Sequence, residues 1–173
     1  MELPEELIAS GTNTTTKNAH KNRFVTMQSD QNKFKILFIW DMAGIGSRIA
    51  QYINSHGLGT AYVIHRKAAD RFSIVSQYSF NVVVDSSILV YYLHVMWHLM
   101  TFRPNIIHVN SLRWGVILAR VLRPRTPILM HFHGSDIRKR TIPRWISPFV
   151  TKMIVSTRDL VREGVDYFGY PTE

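Results

Sequence analysis

The stretch Pro127-Ile128-Leu129-Met130-His131-Phe132-His133-Gly134-Ser135-Asp136 constrains the chain more than any other. Its first half is a proline followed by three apolar residues without a polar break. That predicts a strand buried on both faces, the kind found in parallel sheets. Its second half gathers two histidines, a glycine, a serine and an aspartate. In an open α/β sheet ligands bind outside the carboxyl ends of the strands, so this strand delivers its reactive side chains to the edge where chemistry is done. The two-residue period of a strand puts His131 and His133 on one side and Phe132 on the other. Gly134 permits a sharp turn, and Ser135 or Asp136 can cap a following helix. A lone histidine here would read as a packed core residue; the cluster points to function.

The same pattern recurs along the chain. Ile36-Leu37-Phe38-Ile39-Trp40 is a continuous apolar run, followed by a turn from Asp41 to Ser47, a short helix through Ile49, Ala50 and Ile53, and a stop at His56-Gly57. Thr60–His65 predicts the second strand, completing one βαβ unit. Asn81–Val84 predicts a third, with Asp85 or Ser86 capping a helix over Ser87–Phe102. That helix is apolar nearly all round, so it is buried on two sides or touches a membrane. Its apolar run Ile88–Met100 spans 13 residues, too short to cross a bilayer. Asn105–Ser111 predicts strand four, Gly115–Leu122 a helix, and Lys152–Ser156 a sixth strand before a helix starting at Thr157. Strands alternating with helices predict an α/β fold built on a doubly wound parallel sheet. Residues 1–32 are rich in Thr, Asn, Ser and Gln, without an apolar period, and are expected to be a disordered leader to the domain 33–173. No secretory signal is evident: acidic residues stand where basic ones would, and no apolar core follows them.

The net charge is +9 and lies outside the leader. Residues 1–32 hold Lys17, Lys21 and Arg23 against Glu2, Glu5, Glu6 and Asp30, so the remaining 141 residues carry +10. Such a domain suits an anionic partner: nucleic acid, a phosphorylated small molecule or an acidic membrane surface. No nucleic-acid-binding motif accompanies the charge, so specific nucleic-acid binding is not expected. The chain has no cysteine, which removes disulfides and thiolate metal sites from consideration.

Three places could hold chemistry. Gly44-Ile45-Gly46, after a strand and before a helix, can offer helix N–H groups to an anion. The third glycine of a dinucleotide fingerprint would fall at Ile49, and the second strand ends in His65, Arg66 and Lys67 rather than an acid. Ordinary NAD selectivity is thereby excluded, although Arg66 suits NADP. Second, His108 and Asn110 end strand four while His131, His133 and Asp136 end the next. Side by side they would make a cleft for hydroxyl or phosphate recognition, or for proton transfer. Ligand spacing for a metal is lacking there. His94 and His98, four apart with no acid between them, are read as packing or surface residues. Third, Arg138-Lys139-Arg140 with Arg144-Trp145 can bind phosphates or a membrane interface.

Together the strand Lys35–Ile39 with Gly44-Ile45-Gly46, the run Pro104–Ser111, the segment Pro127–Asp136 and Ile154–Thr157 resemble the N-terminal half of family-four retaining glycosyltransferases of the GT-B architecture. The resemblance spans about residues 35–173; the histidine segment is its most specific part. It implies a Rossmann-like, acceptor-binding domain that works with a C-terminal donor-binding domain, as part of a longer chain or as a subunit of a split enzyme. The implied reaction moves a sugar from a nucleotide-sugar donor to a sugar or lipid-linked acceptor, with no cofactor or metal. By resemblance, the histidine at 133 lies close to the transferred sugar, and Gly44 and Gly46 face donor phosphates and acceptor. Asp136 is assigned to orientation, and His108, Asn110, His131 and Ser135 to substrate binding. The family often has a second histidine where Asn110 stands. A cytoplasmic place, at the inner face of a membrane, follows from lipid-linked acceptors. The alternative is a non-catalytic basic binding module for nucleotide or nucleic acid.

Overall fold

A computed structural model describes residues 34–41, 44–70, 75–133, 144–161 and 165–167. These lie within the compact unit Lys33–Glu173. The expected leader, the segment Gly134–Arg140 and the putting together of Ser135 and Asp136 with the histidines all fall outside the described residues.

Seven parallel strands form one sheet in the order β3-β2-β1-β4-β5-β6-β7. They are β1 (Phe34–Ile39), β2 (Gly59–Arg66), β3 (Asn81–Val84), β4 (Ile106–Asn110), β5 (Ile128–Phe132), β6 (Lys152–Val155) and β7 (Asp166–Tyr167). Among the described residues three α-helices accompany them: α1 (Ile45–Ser55), α2 (Ile88–Thr101) and α3 (Arg113–Leu122). The chain runs outward from β1 to β3, then returns through α2 to lay β4 on the other side of β1. This is the doubly wound, Rossmann-like arrangement, with its topological switch point between β1 and β4. Where the sequence indicated six strands, the sheet has a seventh; β7 is two residues long and has no apolar run to announce it. The expected helix after Thr157 is a 3-10 turn, Arg158–Leu160.

The faces of the sheet differ. Leu37, Ile39, Ile107, Val109, Ile128, Met130 and Phe132 join Tyr91, Val95 and Leu99 of α2 and Val116 and Ala119 of α3 in the main core. On the opposite face Phe38, Ala61 and Val63 pack against Ala50 and Ile53 of α1 in a smaller one. Strand alternation therefore puts His108, Asn110 and His131 on the α1 side of the sheet.

Local details follow the chemistry of the termini. Ser87, rather than Asp85 or Ser86, caps α2, accepting from Val90 N–H at 3.4 Å. Asp85 is instead paired with Lys67 at 2.7 Å. At the other end of α2, Arg103 takes φ 52°, the left-handed step that commonly ends helices, and Pro104 prevents continuation. Arg123 at the end of α3 donates to the carbonyls of Leu99 and Met100, tying the two helix ends together.

Candidate functional site

Beyond α1, the second face of the sheet turns polar. Phe38, His108, His131 and His133 form a row of rings running across β1, β4 and the end of β5, with successive centroids 5.0, 5.3 and 4.6 Å apart. The register accounts for it: Phe38 is level with His108, and Asn110 is level with His131. The expected cleft of His108, Asn110, His131 and His133 is thus assembled by the pairing of β4 with β5. His131 shares a hydrogen bond of 2.6 Å with Ser156, the residue following β6.

His108, Asn110 and His131 are buried and His133 is half-buried, and two of these groups carry polar atoms without a partner among the described residues. Asn110 is fully buried, and neither its amide nitrogen nor its amide oxygen has a partner among the described residues. The same is true of His108 Nε2. A polar group buried without a hydrogen bond costs about 1–3 kcal/mol, so native structures leave few of them without a reason. Burial, with further repulsion from His131 and His133, pushes the His108 pKa down to about 3. His108 is therefore an uncharged imidazole at neutral pH, able to hydrogen-bond but not to supply a positive charge.

The strands flanking the switch point leave the sheet through strained backbone. Trp40, just after β1, has φ 66° and Ser111, just after β4, has φ 58°. Non-glycine residues adopt this region at a cost of about 1–3 kcal/mol. Trp40 is held there by its N–H bond to the Ile64 carbonyl at 2.9 Å and by edge contacts of its ring with His65 and Tyr91. Ser111 N–H donates to the His131 carbonyl at 2.9 Å. Such strain concentrates at functional sites.

The glycine turn carries its own anion. Gly44 has φ 71° and begins α1. The fully buried Asp41 accepts from Gly46 N–H at 3.1 Å and from Ser47 N–H at 2.7 Å. A carboxylate thus occupies two of the donors that a phosphate would use. Gly46 is tightly enclosed: an added Cβ would meet Phe38 at 3.1 Å and Asp41 at 3.3 Å, so those side chains would have to shift by a few tenths of an ångström. His65 completes this corner. Asp41 N–H donates to its Nδ1 at 3.1 Å, so the proton of the neutral ring sits on Nε2, which is buried without a partner among the described residues. Burial lowers the His65 pKa, against the opposing pull of Asp41 and Asp70.

No family model and no curated protein matches the chain. Arg66, the residue suited to an NADP phosphate, donates instead to the Ser86 carbonyl. His94 is exposed, and the His98 ring bonds the His94 carbonyl of its own helix at 2.8 Å. Asp41 and Ser156 were missed in the sequence. An acid at the carboxyl end of a strand, just before a glycine turn, was the available signal for Asp41. Ser156 becomes visible only once β6 is known to lie beside β5.

Proposed function

We propose that the chain is the acceptor-binding, Rossmann-like domain of a retaining glycosyltransferase, one that moves a sugar from a nucleotide-sugar donor. The observation that carries the reading is the fully buried amide of Asn110, without a partner among the described residues, within a row of imidazoles at the carboxyl edge of the sheet. Amide and neutral imidazole both donate and accept, which suits the hydroxyls of a sugar. Of the cations near this edge, Arg66 donates to the Ser86 carbonyl and Lys67 to Asp85. The amide and imidazole row itself favours a neutral, hydroxyl-rich ligand over the alternative of a nucleotide or nucleic-acid module.

In this reading His133 contacts the transferred sugar, His108, Asn110 and His131 bind acceptor hydroxyls, and Ser135 and Asp136 follow His133 to orient them. Gly44 and Gly46 bring the start of α1 close to the donor phosphates. With Asp41 already engaging Gly46 and Ser47, the greater part of donor binding falls to a C-terminal donor domain, the second domain that the sequence resemblance implies. A sugar or lipid-linked acceptor gives the chain a place at the cytoplasmic face of a membrane.

The test is a titration of isotopically labelled chain with simple glycosides, nucleotide sugars and short RNA, followed by NMR. Glycosides are expected to shift the resonances of His108, Asn110, His131 and His133, with nucleotide sugars binding more weakly. Shifts at these residues from RNA or bare nucleotide, with none from glycosides, would replace the proposal with the binding-module reading.

A further inference from the structure

The outer surface of α2 and α3 is apolar where a water-facing helix pair should be polar. Leu89, Leu93, Trp97 and Met100 recur at helical spacing on α2 and are all exposed, as are Trp114 and Val121 on α3. Trp97 is 64% and Trp114 67% exposed, and Trp114 lies 6.5 Å from the ring of the half-exposed Trp145. Two shallow apolar grooves mark it: one runs along α2 beside Trp97, and the other lies between Tyr92 of α2 and Trp114 and Val121 of α3. Helix α2 has only His94, His98 and Thr101 as a polar stripe, which is why burying Tyr91, Val95 and Leu99 still leaves Leu89, Leu93, Trp97 and Met100 on an apolar outer side.

The charge around this patch favours an anionic partner. From Ser86 to Arg158 the sequence has 11 lysines and arginines and a single acid, Asp136. At the joined carboxyl ends of α2 and α3, Arg103 and Arg125 are exposed beside Arg123, and neither has an acidic partner among the described residues. A second copy laid on this face would bring like charges together. An anionic bilayer would not: it accepts the apolar side chains, places tryptophan at the interface where that ring is favoured, and attracts each nearby cation. No described helix is long and apolar enough to cross a membrane, so the geometry is that of a helix pair lying in the interface plane.

We infer that the α2–α3 face docks on an anionic lipid surface, with Leu93, Trp97 and Trp114 entering the interface and Arg103 and Arg125 meeting the headgroups. The inference deepens the membrane part of the proposed function but uses a face separate from the histidine row. Vesicle binding can thus fail while glycoside binding succeeds, and the reverse.

The experiment is co-sedimentation of the full chain with phosphatidylcholine vesicles, with and without phosphatidylglycerol. Binding is expected only to the anionic vesicles, with release at high salt. The double substitution Leu93→Glu and Trp97→Glu is expected to weaken it by about tenfold or more, because both apolar contacts are lost. Arg103→Glu with Arg125→Glu should do the same through charge. All four side chains are exposed, so an unchanged thermal midpoint confirms the fold of each variant. The inference is overturned by absence of binding at low salt, by equal binding to neutral vesicles, or by full binding of a folded Leu93/Trp97 variant. Self-association that these substitutions abolish, without vesicle binding, would assign the face to a second copy instead.

Discussion

Asp41 Oδ2 accepts both the backbone N–H and the hydroxyl of Ser47, each at 2.7 Å. The carboxylate does from three residues upstream what a side-chain cap normally does at Gly44, which has no side chain to offer. Charge at a helix N-terminus adds to the hydrogen bonds. Replacing Asp41 by Ala leaves buried donors at Gly46 and Ser47 unpaired, and is expected to cost about 2–3 kcal/mol. Urea denaturation measures it; a loss below about half a kcal/mol would mean that α1 does not depend on this cap.

His108 predicts a pH dependence. Its pKa falls from 6.5 in the unfolded chain to about 3 in the fold, so the unfolded state takes up a proton that the folded state refuses. Stability is full above about pH 6.5 and is lost as pH falls toward 3. The slope reaches at most about 1.4 kcal/mol per pH unit for one such imidazole. His65, also lowered by burial, acts in the same direction. Denaturation midpoints from pH 7 to 4 should fall less steeply in His108→Gln than in the parent chain. Parallel curves would show that folding does not lower the His108 pKa.

The 2.6 Å bond between His131 and Ser156 joins β5 to the end of β6. Ser156→Ala should cost about 1 kcal/mol, the typical net value of one hydrogen bond, and should shift the ring resonances of His131. Ser156→Thr keeps the hydroxyl and should restore both. An unmoved His131 spectrum in Ser156→Ala would remove Ser156 from the site.

The sheet was legible because its strands are short continuous apolar runs, and only a parallel sheet covered on both faces produces these. The histidine row was legible in part: period two predicts His131 beside His133, and adjacency of β4 and β5 predicts His108 beside them. Which strands are adjacent is not written in any local pattern, so Ser156 stayed hidden. Asp41 stayed hidden for another reason. Two of its three donors are backbone N–H groups, and the same glycine turn would look alike with a phosphate in the carboxylate's place. The exposed side of α2 was the reverse case. Its unbroken apolar composition showed in the sequence, but only packing reveals which side is left uncovered.

Asn110 separates stability from function most cleanly. Its amide is fully buried, and neither polar atom has a partner among the described residues, so the fold bears a desolvation cost there. Leucine has nearly the same shape and no polar atoms. Replacing a buried unsatisfied group by an apolar isostere is neutral or favourable, and Asn110→Leu should therefore raise the thermal midpoint or leave it unchanged. The same substitution removes the donor and the acceptor assigned to a sugar hydroxyl, and a site built for hydroxyl recognition loses affinity sharply when such a pair is lost. Glycoside-induced shifts at His108 and His131 should then weaken by about tenfold or more, worth at least about 1.4 kcal/mol. Asn110→His keeps hydrogen-bonding capacity and should retain part of the response. If Asn110→Leu instead unfolds the domain, the amide has a structural partner; if it binds glycosides as well as the parent, the row of imidazoles recognises them without it.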